Sequence, residues 1–186
     1  MGLITPKFKF GFVLKSGDPN IRVYPEASTT QTFNAGSLVK LSGTGTVSDL
    51  TTEDDTTSTL SSLESGCWGI AMKDHTSVAN SEIPVYVITP EQEWEVHTAK
   101  GTKPNTGSLY DHGDAVKLMY TCSTSYTLSD GDGNTNKTTV GAWIAKHSAA
   151  AATKGAVIVG HRRGEEGTLG GRVIVRFTPL MCGSVY

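Results

Sequence analysis

Phe33-Asn34-Ala35-Gly36-Ser37-Leu38-Val39-Lys40-Leu41 is answered, 77 residues later (Gly36 to Gly113), by Tyr110-Asp111-His112-Gly113-Asp114-Ala115-Val116-Lys117-Leu118. Each stretch runs from an aromatic residue through a glycine to Val-Lys-Leu. Glycine permits the tight turn. Beyond it the chain alternates with period two, so Val and Leu point inward while Lys points out, as in a half-buried strand. A polar excursion follows each copy, then a second short likeness: Gly69-Ile70-Ala71-Met72-Lys73 and Trp143-Ile144-Ala145-Lys146. The repeated unit therefore reads as turn, strand, variable loop, return strand. Ala71 and Ala145 are small enough to let another layer approach.

Outward from this repeat, period two dominates the chain. Phe8, Phe10, Phe12 and Leu14 alternate with Lys7, Lys9, Gly11 and Val13, placing aromatics on one strand face and lysines on the other. Further strands are expected at 21–24, 37–41, 68–73, 83–89, 93–98, 115–120, 139–146, 156–161 and 172–178. These segments are rich in Val, Ile, Thr and aromatics and are bounded by Gly, Pro, Asn, Asp or Ser. The alanines of 148–154 allow a turn or two of helix, too short to stand without tertiary support. The expected class is all-β: a compact β-barrel, or a β-tulip or sandwich, with an extended N-terminal arm. The arm is assigned to 1–30, which Gly17-Asp18-Pro19-Asn20 and Pro25 interrupt, and the barrel-like domain to 31–186. Within that domain 42–66, almost wholly Ser, Thr, Gly and acidic residues, reads as a polar insertion. An ordinary first hairpin is the competing reading of 1–30.

Composition narrows the function. The chain has 186 residues, a net charge of −2, 18% charged residues and 21 glycines. No basic stripe of the kind that neutralises nucleic-acid phosphates is present; His161-Arg162-Arg163 runs straight into Glu165 and Glu166, a local ion-pair cluster. Cys67, Cys122 and Cys182 are odd in number and lack metal-ligand spacing, which suits buried thiols in a reducing compartment. The start of the chain lacks a signal-peptide apolar run, and no stretch has the length and apolarity of a membrane-spanning helix. Synthesis in the cytoplasm is expected, with no direct contact to nucleic acid or membrane.

Candidate chemical sites weigh out as structural. Asp130-Gly131-Asp132-Gly133-Asn134-Thr135-Asn136 spaces oxygens as a calcium loop does, but Thr135 takes the turn-glycine position and Gly141 the bidentate-glutamate position. Asp-Gly and Gly-Asn are hairpin-turn chemistry in any case. Asp111-His112-Gly113-Asp114 coincides with the turn that opens the repeated strand. His75, His97, His112, His147 and His161 show no paired ligand spacing, and no Gly-x-Ser-x-Gly elbow occurs. A triad assembled in space is beyond the reach of spacing. Glu91, Glu93 and Glu95 read as the hydrated face of a strand, and Trp68, Trp94 and Trp143 as core residues. No catalytic residue, cofactor or metal is assigned.

One resemblance adds to this reading. An aromatic or apolar residue followed by x-x-Gly-x-x-Val-x-Leu, a polar loop and a Gly-Ile-Ala return strand resembles the small capsid decoration proteins of tailed bacteriophages, also called cement or head-stabilisation proteins. The matching stretches are 33–41 with 66–73, and 110–118 with 141–146. The strand 83–89 followed by Trp94–His97 is similar to the middle of such proteins. The likeness covers the central two-thirds of the chain. The N-terminal arm and the 42–66 insertion depart from the shortest members. The resemblance implies a non-enzymatic virion protein on the capsid exterior. It implies a homotrimer that binds the lattice of the major capsid protein and stabilises the expanded head. On that reading Lys7, Phe8, Lys9, Phe10, Phe12 and Leu14 are the capsid-binding face of the arm. A carbohydrate- or receptor-binding β-module on a virion or cell surface is the alternative.

Overall fold

Alternating apolar and polar residues make strands, and short apolar strands must curl or stack to hide one face. The computed structural model describes residues 11–26, 32–41, 45–49, 67–76, 78, 81–98, 113–120, 126–129, 136–139, 143–147, 155–163 and 171–178. Among them are fifteen strands and no helix. In chain order these are β1 (Val13–Ser16), β2 (Ile21–Pro25), β3 (Thr32–Phe33), β4 (Leu38–Leu41), β5 (Val47–Asp49), β6 (Cys67–Ala71), β7 (His75–Thr76) and β8 (Glu82–Val87). They continue as β9 (Glu93–Thr98), β10 (Ala115–Tyr120), β11 (Tyr126–Ser129), β12 (Asn136–Thr139), β13 (Trp143–His147), β14 (Ala156–His161) and β15 (Arg172–Phe177). The all-β expectation holds. The helical turn foreseen within 148–154 lies outside the described residues, as do 42–44 and 50–66 of the polar insertion foreseen at 42–66; the loop reading of that insertion is corrected at 47–49, which form β5 with Val47 buried.

Two main sheets organise the chain, and they are wired alike. In the first, β2, β8, β6, β4 and β5 pair antiparallel in that order, and Glu26 at the end of β2 makes a parallel bridge back to Val47 of β5. In the second, β9, β15, β14, β10 and β13 pair antiparallel in that order, and β13 returns to β9 in parallel. Chain order matches as well: β2, β4, β5, β6 and β8 correspond to β9, β10, β13, β14 and β15.

The correspondence holds residue by residue. Leu38 faces Ile70 as Ala115 faces Val157, and Leu41 faces Val47 as Leu118 faces Ala145. Val85 faces Ala71 as Val175 faces Ile158, and Ile21 faces Tyr86 as Glu93 faces Arg176. The closing parallel pairs also agree: Glu26 with Val47, Thr98 with Ala145. Backbone hydrogen bonds outside the ladders repeat too. Gly36 N donates to Ala71 O and Gly113 N to Ile158 O, both at 2.8 Å; Glu26 N donates to Ser81 O and Thr98 N to Gly171 O, both at 3.0 Å. Each unit is a five-stranded sheet curled until its edges meet. The seams are thin, a single bridge in the first and two residue pairs in the second, so neither is a continuously bonded barrel.

The repeat foreseen around Gly36 and Gly113 is therefore structural. Both glycines sit before the corresponding strands β4 and β10 with left-handed φ, 84° and 92°, a conformation that costs other residues about 1–2 kcal/mol. The second likeness is corrected. The counterpart of β6 is β14, and that of β13 is β5. Ile-Ala in β6 and in β13 matched because alternating strands of small and β-branched residues look alike wherever they sit in a sheet.

Equivalent positions fill the two interiors. Tyr24, Val39, Leu41, Val47, Ala71, Ile83, Val85 and Val87 cluster inside the first unit; Val96, Val116, Leu118, Ala145, Ile158, Val173, Val175 and Phe177 do so in the second. Full burial of one Val, Leu, Ile or Phe side chain stabilises by about 1.5–3 kcal/mol. The second cluster continues into Leu38, Trp68 and Ile70 on the outer face of the first unit, which joins the two. Tyr86 meets Trp94 edge-on at 5.7 Å across this junction.

The clasp over the junction comes from the N-terminal stretch. β1 pairs antiparallel with β9, while the Phe12 amide donates to Gly36 O at 2.8 Å in the first unit. Phe12 is buried against Phe177, ring centroids 5.4 Å apart. Gly11 packs on Gly36 so closely that a Cβ at Gly11 would lie 2.6 Å from Gly36 O. Residues 13–26, expected in the arm, thus supply β1 to one unit and β2 to the other. The competing hairpin reading did not foresee this either, because the two strands pair with different sheets.

Candidate functional site

The wiring makes β2 and β9 counterparts, and their outer faces carry opposite chemistry. On β9, Glu93 and Glu95 point outward and oppositely charged side chains converge on them. Arg162 approaches Glu95 Oε1 at 2.7 Å, Arg172 the same oxygen at 3.1 Å, and Lys15 the other oxygen at 3.7 Å. Glu93 accepts hydrogen bonds from Ser16 Oγ at 2.8 Å and Arg176 at 2.7 Å. The Ser16 bond, then Arg176, holds the Glu93 carboxyl below the usual glutamate range, against a smaller opposing effect of burial. The hydrated, like-charged strand face foreseen here is corrected at Glu95, which is 5% exposed and compensated by Lys15 of β1, Arg162 just past β14 and Arg172 of β15.

On β2 the matching outward positions are Ile21, Val23 and Pro25. Ile21 is 48% and Val23 56% exposed, next to half-buried Pro84 and Tyr86 on β8. Sequence reasoning recorded the strand but missed the face. The signal was there: alternation of Ile21, Val23 and Pro25 with Arg22 and Tyr24, and a proline, which marks an edge strand.

A second polar centre lies at the end of the first unit. His75 on β7 is buried; its Nε2 lies 3.1 Å from Glu26 Oε1, off the line of a hydrogen bond. Its Nδ1 lies 3.4 Å from Ser81 Oγ, and Phe33 covers the imidazole at 5.0 Å. Hydroxyl, imidazole and carboxylate thus stand in a row that no spacing in the sequence announced. The same place in the second unit holds Thr98, whose hydroxyl donates to Gly171 O at 3.0 Å. Both arrangements tie the end of the first strand of a unit to the residue before its last strand. The row thus occupies the position that a hydroxyl-to-backbone tie holds in the second unit.

The remaining sequence candidates fall as follows. Lys7, Phe8, Lys9 and Phe10 lie outside the described residues. Phe12 is buried in the chain's own core and Leu14 packs against it, so these two are spent internally and do not extend an aromatic face toward a partner. Trp68 and Trp94 are buried, as their apolar strand context required. His97 is buried and His161 half-buried. Asp111, His112 and residues 130–135 lie outside the described residues, as do Cys122 and Cys182. Among the described residues no three His, Cys, Asp or Glu side chains gather as metal ligands, and no helix is long and apolar enough to cross a membrane.

The arrangement defines an all-β protein of two like-wired units with one charge-compensated and one apolar sheet face. In comparisons with known proteins, no family model, curated protein or solved structure matches the chain.

Proposed function

We propose that this chain is a structural binding protein of a tailed-phage head, a non-enzymatic decoration protein that attaches to the outside of the major capsid protein lattice and stabilises the expanded shell. The observation that carries the reading is the recurrence of the Gly-x-x-Val-x-Leu turn and strand at equivalent places in two like-wired units, with left-handed Gly36 and Gly113 at their heads. The turn-and-strand half of the motif on which the resemblance rests is thus part of the scaffold in both units, whereas its return strands, β6 and β13, occupy different places. A scaffold of two joined β units suits a protein whose work is to span and hold, since many modest contacts repeated over a lattice sum to strong attachment. The remaining arm residues, Lys7, Phe8, Lys9 and Phe10, are the proposed capsid contacts, and a homotrimer is the proposed assembly on the shell.

The test is co-sedimentation of the purified chain with expanded, undecorated heads. Saturable binding at a copy number comparable with the capsid protein, and greater resistance of the decorated heads to heat or chelation, are expected. Absence of binding to expanded heads overturns the reading.

A further inference from the structure

We infer that the edge of β2 at Ile21–Val23 is a strand-accepting site for an extended partner segment that is apolar at alternate positions. The second unit supplies the template. There β9 gives one edge to β15, and its other edge takes β1 at Glu93–Glu95, antiparallel, before passing to β13 at His97. The equivalent window on β2 is Ile21–Val23, closed off at its far end by the bridge from Glu26 to Val47. Among the described residues no strand pairs with that window.

The backbone there is aimed outward. Val87 N donates to Asn20 O and Glu26 N to Ser81 O, which marks the even-numbered positions of β2 as those bonded to β8. In an antiparallel ladder the intervening residues, Ile21 and Val23, turn their N–H and C=O groups to the other edge. Pro25 has no N–H to offer, so the site ends where the proline begins. Edges of this kind take up extended peptides by strand addition.

Side-chain chemistry then specifies the partner. In the second unit the incoming strand sets Val13 opposite Glu95, and Lys15 makes an ion pair with that carboxylate. On β2 the position of Glu95 is Val23 and that of Glu93 is Ile21, both about half exposed. A lysine opposite them would lose its counter-charge, whereas a β-branched or aromatic residue would bury both. The partner is therefore an extended segment with apolar residues where β1 carries Val13 and Lys15. Identifying its owner as a shell protein rests on the function proposed above; the strand-accepting edge does not.

The experiment uses the full chain and two labelled synthetic peptides: one with the sequence of residues 11–17, and the same peptide with Lys15→Val. The chain's own β9 edge is shielded from both by its tethered β1. Saturable binding of the Lys15→Val peptide is expected, with the unsubstituted peptide about tenfold weaker. Amide exchange at Ile21 and Val23 should slow in the complex. Val23→Pro, which removes an edge N–H without touching the ladder to β8, should abolish binding, and Val23→Lys, which keeps the backbone, should weaken it at least about tenfold. No binding of either peptide, or equal binding by all three proteins, overturns the site. Self-association of the chain without peptide that Val23→Lys abolishes would overturn the assignment to a different partner in favour of a second copy. None of these readouts involves capsids, so they stand or fall separately from head binding.

Discussion

The first and second units share the pairing order of their five strands, yet place different residues at the same addresses. Where the first has Glu26 facing His75, the second has Thr98 bonded to a backbone carbonyl. Where the second has Glu95 among three cations, the first has exposed Val23. Where Gly36 is wedged beneath Gly11 and Phe12, Gly113 has, among the described residues, no neighbour within 4 Å of a built Cβ. Pairing depends on backbone groups that every residue but proline carries, so it tolerates such exchange. Burial and charge do not, and there the units have diverged.

Paired substitutions break this comparison at its strongest point first. Glu26→Ala removes a buried carboxylate from beside the His75 imidazole and should cost up to about 3 kcal/mol, whereas Thr98→Ala forfeits a hydroxyl bond to a backbone carbonyl and should cost about 1 kcal/mol. Equal losses in chemical denaturation would mean that the Glu26–His75 contact adds nothing beyond packing. Next come the turn glycines. Gly113→Ala should cost about 1 kcal/mol for its left-handed φ. Gly36→Ala should cost about 1–3 kcal/mol more, because its Cβ would sit 3.2–3.3 Å from the backbone of Gly11 and Phe12.

Smaller effects sharpen the contrast between the faces. Glu95→Ala leaves partly buried Arg172 and Arg162 facing each other and should lower stability by about 2 kcal/mol after allowance for solvent screening. Its counterpart Val23→Thr should stay within about 0.5 kcal/mol. The smallest effect is a titration. The Glu93 carboxyl is depressed in the folded chain, so its contribution is present above the unfolded glutamate pKa of about 4.3 and disappears as pH falls through the lower folded value. The melting temperatures of wild type and Glu93→Gln should differ at neutral pH and converge in acid. A constant gap would remove the ionised carboxylate, with its Ser16 and Arg176 bonds, as its cause.

Much of the fold was legible. Nine segments expected as strands contain strands, because period-two alternation and turn residues are local properties. The turn glycines were legible because a left-handed φ restricts residue choice sharply. The β6–β14 correspondence was not: Gly69-Ile70-Ala71 and Ala156-Val157-Ile158 perform the same pairing with different residues, and alternation alone admits both. The compensation of Glu95 was hidden for another reason. Its cations stand far along the chain, at Lys15, Arg162 and Arg172, and only register brings them to one carboxylate. Phe12 misled in the opposite direction, since a row of alternating phenylalanines has one appearance whether it meets a partner or the chain's own core.

β1 is the one strand of the two main sheets that stands out of sequence. It precedes the whole first unit and belongs to the second. On the ribosome, β2 to β8 can therefore close before the partner of β1 exists. At about 5–20 residues per second, the segment carrying Phe12 and Leu14 waits several seconds for β9 to be made, and longer for β14 and β15 to complete the face it covers. β1 is made before every other described strand and seated after most of them, so its docking reports that β9, β14 and β15 have been made.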